Sequence, residues 1–577
     1  MTARQPGRST RRDRHAGRSA AMTSSPVRYR ATTGQWQMWL AHQDDPTAAT
    51  YNIAYGWRLS GDLDAGALSA AVDALVARHD TLRTTFDVSG DALEAVVGPP
   101  PTGVLQLHDL TSLPPDSARA RLAADTDRLA HEPFDLDHGP VLRAHLFLIC
   151  PGAAFLLLCV HHVAFDSGSE PALVRDLSTL YRGQNPTRPA RPGPEVAALV
   201  RDAAAGIDTS AALTHWRGVL AGASPCTPLP LDRRREQACG DHGGRVPFVL
   251  AADEAHAVRD ACRRLRVTPF VLLLAAHVFT LSTWSGESDL VTGVPVMHRD
   301  DADLEDVVGT FVSSLPVRIR LDGVTDTDAL VARVRDVVID LMQHRGVALP
   351  DLVRELAADR LPGVHPIFQS MFSFSTVDRP ALRLAQVSAT AQPILLRSAK
   401  FDLTVEVEQH GTTLRGAVEY HRGLFDEATI EALRARLLRA VRAIAAERPT
   451  GLAELAEPAA ARVAAPARPA APAAPPASDT VPEPADPIET SVAAAFAQAL
   501  GLDRLDPATA FFHEGGDSLA AALLAVRLTR QLGVQVSAKD VFRAPTATAL
   551  AALLRTRRPA TAREPIAAVQ TRQEARR

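Results

Sequence analysis

The sequence predicts a large unit that mixes helices with strands, followed by a small all-α helix bundle. Three observations carry this. Between residues 458 and 487 the chain is almost entirely Ala, Pro, Val and a few acids, a composition that makes an extended, semi-rigid tether and no core. Before that tether, residues 155–160 (FLLLCV) form a short continuous apolar run, the pattern of a strand buried on both faces. Beyond it, Ile488, Val492, Phe496 and Leu500 recur every four residues, one apolar stripe of a helix.

A chain of 577 residues is too long for one core and predicts two or three folding units. With 46% hydrophobic residues most of it has an interior to bury, and a net charge of −4 gives no basic excess that would point to nucleic acid. Cys150, Cys159, Cys226, Cys239 and Cys262 are scattered, with no CxxC pair and no Cys/His ligand cluster. That fits a reducing cytoplasm, and no metal site is expected. Residues 1–25 are rich in Arg, Ser and Gly and lack the apolar stretch of a signal peptide, so export is not expected and the segment reads as a solvated tail. No apolar run is long enough to cross a bilayer, so a cytoplasmic protein with no membrane partner is expected. The expected division is a tail at 1–26, the large unit at 27–450, a linker at 451–485, the bundle at 486–556 and a second tail at 557–577.

The large unit opens on TTGQWQMWL at residues 32–40. A helix follows with Leu68, Val72, Leu75, Val76 and Leu82 on one face, leading into RHDTLRTTF at 78–86. Charges at a helix end have an ordinary surface reading, and His79 reads as a helix-end residue. The apolar run at 155–160 then delivers His161 and His162, with Asp166, Ser167 and Gly168 across a turn. Neighbouring side chains leaving a strand point in opposite directions, so one histidine can face a cavity while the other packs behind it. Asp166 can lie back against the same loop. A metal reading of this group ranks low, because adjacent histidines diverge and no further ligand lies nearby.

In the small unit the first helix ends at Gly501, and a loop through Asp506 and Pro507 leads to FFHEGGDSL at 511–519. Gly515 and Gly516 let the backbone turn tightly. Ser518 stands at a helix start, where unpaired amides and the helix dipole favour a phosphate. Taken alone, a helix-capping role is the better reading of Ser518. Leu519, Leu523 and Val526 begin a second helix closed by Gly533, and a last helix after Pro545 carries Leu550, Leu553 and Leu554. Three helices around a small core make a bundle.

Residues 511–519, with DVF at 540–542 and APT at 544–546, resemble the serine motif of carrier domains and its downstream partner. The resemblance implies that Ser518 bears 4'-phosphopantetheine, put there by a phosphopantetheinyl transferase, whose thiol holds an acyl group. HHVAFDSG at 161–168 resembles the HHxxxDG motif of nonribosomal peptide synthetase condensation domains and related CoA-dependent acyltransferases. The segments at 35–40 and 78–86, VGTFVSSLP at 308–316, residues 344–352 and HPIFQSMF at 365–372 resemble further motifs of that family, in its order. This implies an α/β (α+β) fold of two chloramphenicol-acetyltransferase-like lobes, about 27–195 and 196–450, meeting in a V around a tunnel. Of the motif's set His162, His161 and Asp166, the resemblance puts His162 at the chemistry. His161 and Asp166 are expected to be structural, with Asp166 braced by an ion pair to Arg299. Two positions depart from the pattern: Ser167 stands where the family has Gly, followed by Gly168, and Ser313 replaces an Asn. A Gly after the Asp serves close approach or positive φ, which Ser meets at some cost.

The implied reaction joins a donor acyl or peptidyl thioester, brought by an upstream donor carrier protein, to an acceptor on Ser518 through an amide bond. Only the Pro/Ala linker separates the two units, with no room for a nucleotide-binding domain, so a separate adenylation enzyme is expected to load Ser518 in trans. The linker would keep the carrier concentrated near the tunnel. Two alternatives differ in class: an ester- or amide-forming acyltransferase that serves a free small molecule, and a non-catalytic carrier platform. Epimerising relatives follow their carrier, and heterocyclising relatives replace the histidines by an acid, so both fit less well.

Overall fold

The computed structural model describes residues 26–89, 92–205, 209–224, 226–235, 242–299, 302–355, 364–377, 380–456, 487–500, 502–511, 514 and 518–556. Gly501, Cys239, Phe512, His513 and Gly515 to Asp517 lie outside them.

The apolar run of the sequence becomes the middle of a five-stranded sheet. Its order is Val387–Pro393, Asn52–Gly61, Ala153–His161, Leu142–Cys150, Leu105–Asp109. Phe155 to Val160 are each 2% exposed or less, as continuous hydrophobicity requires of a strand covered on both faces. The helix Ala65–Arg78 lays Leu68, Val72, Leu75 and Val76 into the same apolar core, beside Leu173, Val174 and Leu177 of the helix Glu170–Tyr181. One edge strand comes from late in the chain. Val387–Pro393 pairs antiparallel with Asn52–Gly61, Ala389 opposite Leu59, and Leu382, Leu384 and Val387 join the first core.

A second, six-stranded sheet has the order Val312–Arg320, Asp289–Met297, Ser370–Thr376, Leu403–His410, Thr413–His421, Gly243–Val249. Its core includes the helices Pro269–Ser285, Thr327–Gln343 and Glu427–Ala445. Pro269–Ser285 is apolar nearly all round and almost wholly buried, the pattern of a core helix. Thr268 caps its start and Gly286, at φ 76°, ends it. Among the described residues no single helix is long and apolar enough to cross a membrane.

The C-terminal bundle holds the helices Pro487–Ala499, Ser518–Leu532, Ala538–Arg543 and Ala547–Arg555. Val492, Phe496, Phe511, Leu524, Leu528, Val541, Leu550 and Leu554 form its core. The short helix Ala538–Arg543 is one more than the three expected; a capping box of Ser537 and Asp540 starts it. Gly533, at φ 62°, closes the helix that Ser518 opens. That helix also touches the first lobe. Arg530 Nη2 donates to Asp87 Oδ1 at 2.8 Å, and Val526 and Leu523 pack on the first lobe's apolar core.

Candidate functional site

The strand Ala153–His161 ends where the chemistry-bearing residues begin. His161 is its last residue and is 1% exposed. Its Nδ1 accepts from the Val163 amide at 3.1 Å, and its ring lies edge-on to His42, with centroids 5.0 Å apart. Burial among these rings, helped by its histidine neighbours, pushes its pKa well below the ordinary 6.5. The His161 ring is buried against His42 and ties the turn through the Val163 amide.

His162 starts the turn. Its amide donates to the Tyr51 carbonyl at 2.8 Å, and its carbonyl accepts from the Phe165 amide at 3.3 Å. The residue is partly exposed, while its Nδ1 is buried without a hydrogen-bond partner. Burial first, and the positive charge of Lys400 second, lower its pKa to about 4. Lys400 Nζ sits 5.6 Å over the Tyr51 ring. His162 is therefore a neutral imidazole at neutral pH, within the field of the Lys400 cation, which disfavours its protonation.

Asp166 is 1% exposed and fully used. Oδ1 accepts from Arg299 Nη2 at 2.7 Å and from the Ser169 amide at 3.1 Å; Oδ2 accepts from the Phe311 amide at 2.7 Å. Arg299 Nη1 donates to the carbonyls of Leu304 and Val307 at 2.6 and 2.8 Å, and its guanidinium lies over the Phe311 ring. The Ser169 hydroxyl accepts from Arg299 Nη2 and from the Gly309 amide. Arg299 thus pins the loop between Asp289–Met297 and Val312–Arg320 onto the first lobe. Thr81 adds a bond from its hydroxyl to the Val308 carbonyl at 2.8 Å. Asp166→Ala leaves the mostly buried Arg299 without its anion, and is expected to cost about 3–5 kcal/mol, read as a lower urea midpoint.

Ser167 does not incur the cost expected of it. It is exposed, lies in a tight 3-10 turn and is not among the positive-φ residues, which outside glycine are Arg266 and Gln386 among the described residues. The close approach falls on Gly168, where a Cβ would lie 2.5 Å from Arg299 Nε. Ser313 Oγ lies 2.7 Å from His298 Nε2. His79 Nε2 meets Asp176 Oδ2 at 3.0 Å, a buried link at a helix end. Ser169, Tyr51 and Lys400 were not singled out in the sequence. Lys400 had one signal, since the only other lysine is Lys539.

In the bundle, Ser518 is the first residue of the helix Ser518–Leu532. The first-turn amides of such a helix have no partner within it, so this end fits a phosphate.

A family model described as the condensation domain matches residues 27–460. Another, described as a phosphopantetheine attachment site, matches residues 490–554, so the bundle bears covalent 4'-phosphopantetheine. Phosphinothricin tripeptide synthetase PhsC of Streptomyces viridochromogenes is 32% identical over 419 residues, covering 70% of this chain and 38% of that protein. Malpinin synthetase of Mortierella alpina is 30% identical over 404 residues, covering 69% of this chain and 5% of that protein. The chain therefore spans well under half of these relatives. Among solved structures, the X-domain from teicoplanin biosynthesis is 26% identical with a TM-score of 0.67, covering 74% of this chain and 98% of that one.

Proposed function

Because the chain belongs to the condensation-domain family, we propose that it forms an amide bond between a donor acyl or peptidyl thioester and an acceptor amine held on the phosphopantetheine of Ser518. What supports this most is His162: partly open, neutral, and set in a turn that Asp166, Ser169 and Arg299 brace through hydrogen bonds to one another. When bound, the pantetheine arm supplies the thiol on which the acceptor is held. His162 receives a hydrogen bond from the acceptor nitrogen and turns its lone pair toward the donor carbonyl. As the C–N bond forms and the C–S bond breaks, the imidazole accepts the amine's proton and passes it to the departing thiolate. His161 and Asp166 hold the turn, Arg299 and Gly168 lock it to the second lobe, and Ser167 faces solvent.

The domain divisions at 27–450 and 486–556 belong to this reading. So does the traffic around them: an upstream donor carrier protein, a phosphopantetheinyl transferase and a separate adenylating enzyme, with the chain working in the cytoplasm. Residues 461–489 separate the two matched regions, a stretch long enough for a tether and too short for a nucleotide-binding domain. This supports loading in trans. The seat of the Ser518 helix on the first lobe, through Arg530 and Asp87, supports the resident carrier as the acceptor.

The test is the mass attached to the Ser518 peptide, from wild type and from His162→Ala isolated from producing cells. Wild type is expected to carry a condensed acyl group and the variant the smaller monomer. The same monomer on both would favour transfer to a free small molecule or a non-catalytic platform. No pantetheine mass on either would end the assignment of Ser518.

A further inference from the structure

We propose that His215, Asp340 and His344 form a site for a borderline divalent transition-metal ion, zinc above all, that clips two helices of the second lobe together. His215 lies on the helix Thr209–Leu220, Asp340 lies one turn from the end of Thr327–Gln343, and His344 is that helix's C-terminal cap. His215 Nε2 is 3.0 Å from Asp340 Oδ2, and His344 Nδ1 is 3.4 Å from Asp340 Oδ1. One ligand atom from each of the three lies within 4.8 Å of the other two. The arrangement is held from outside the group as well: Trp216 Nε1 donates to the His344 carbonyl at 2.9 Å, which fixes one helix against the end of the other. Nothing here rests on the condensation chemistry, and none of the three residues takes part in the His162 site.

The donor set selects the ion. Two imidazoles and one carboxylate, with a remaining position open to water, match the nitrogen and oxygen ligands that zinc takes in four-coordinate sites. Magnesium and calcium want all-oxygen shells and are disfavoured. The side chains of His215, Asp340 and His344 are 23%, 45% and 32% exposed, so an ion reaches them from solvent. The two rings are stacked, with centroids 3.6 Å apart and planes 7° apart. Nearly parallel planes cannot both aim an in-plane lone pair at one ion. Binding therefore tilts one ring out of the stack, a motion that their partial exposure permits. The cap itself is held by the His344 backbone amide, which donates to the Asp340 and Leu341 carbonyls, so the Nδ1 contact to the Asp340 carbonyl at 2.9 Å can be given up without unwinding the helix end.

The experiment is calorimetric titration of zinc chloride into the full chain after EDTA treatment and dialysis, with thermal melts of the same samples. Wild type is expected to take up one equivalent and to melt higher with zinc than with EDTA. His215→Phe keeps a ring stacked on His344 and removes one ligand nitrogen. It should melt like wild type in EDTA, bind zinc more than about tenfold more weakly, and lose the zinc-dependent rise. Should that variant fail to fold, Asp340→Asn, on the helix surface, gives the same comparison. No zinc uptake by wild type, or an unchanged affinity and melt shift in the variant, would overturn the proposal; the second result would put the zinc at other histidines or cysteines.

Discussion

Lowering the pH from about 7.5 to about 5 is expected to unfold the chain, or to bring it within reach of unfolding at low urea. His42, His145, His161 and His277 are 5%, 1%, 1% and 1% exposed. Burial lowers the pKa to about 4 for His42 and His145, to about 3 for His277, and well below 6.5 for His161. Their contacts explain why no proton is welcome. His277 Nε2 faces the Thr292 hydroxyl at 3.3 Å, His145 Nδ1 faces His108 Nε2 at 3.2 Å, and His42 and His161 face each other. In the unfolded chain the same rings take a proton near 6.5. The folded pKa lies below the unfolded one, so the folded state keeps its full advantage above about pH 6.5 and loses it progressively down to the folded pKa. At pH 5 each ring accounts for a loss of about 1–2 kcal/mol, and four together rival the about 5–15 kcal/mol of a typical domain. Three lie in the first lobe and His277 in the second, so both lobes should weaken. Urea midpoints that agree at the two pH values would mean that these rings are protonated in place, and the burial argument would fail.

The sequence announced some of this architecture and hid the rest, for physical reasons. The strand Ala153–His161 was legible because a strand covered on both faces has to be continuously apolar. The bundle helices were legible because each buries one stripe around a small core. Val387–Pro393 was not. Its sequence, VSATAQP, is small, polar and ends in proline, and its place at the sheet edge comes from backbone pairing with Asn52–Gly61. Its anchors, Leu382 and Leu384, lie outside the strand itself. The site divides the same way. His161, His162 and Asp166 stand on one loop and announce themselves. Arg299 is 133 residues from Asp166, and only the likeness to a family named it. Ser169 was hidden because a serine in a turn looks like any other; its weight comes from bonding both Arg299 and Gly309. The worry over Ser167 came from reading a motif position as a backbone requirement. The tight approach to Arg299 sits one residue later, at Gly168.

His162→Ala is expected to slow product formation by about 10²–10⁴-fold while leaving stability and the loading of the acceptor monomer onto Ser518 unchanged, so that the variant holds the uncondensed monomer. The ring is partly exposed and its Nδ1 has no hydrogen-bond partner to strand, so its removal breaks no network. Asp166, Arg299 and Ser169 stay bonded as before. The pH dependence separates this ring from an ordinary histidine. With its pKa at about 4, His162 is neutral across the range in which the fold is secure. The ratio of wild-type to variant rate is then expected to hold constant from about pH 8 to about pH 6. A ring titrating near 6.5 would have only about a quarter of its molecules neutral at pH 6, and the ratio would fall accordingly. Lys400→Met removes the nearby cation that disfavours the imidazolium, so it should raise the pKa of His162 and bring that fall in the ratio toward neutral pH. A wild-type ratio that already falls between pH 8 and 6 would show that His162 is neither as buried nor as strongly opposed by Lys400 as its surroundings indicate. A variant as fast as wild type would remove His162 from the chemistry and leave the large unit as a docking platform for the carrier.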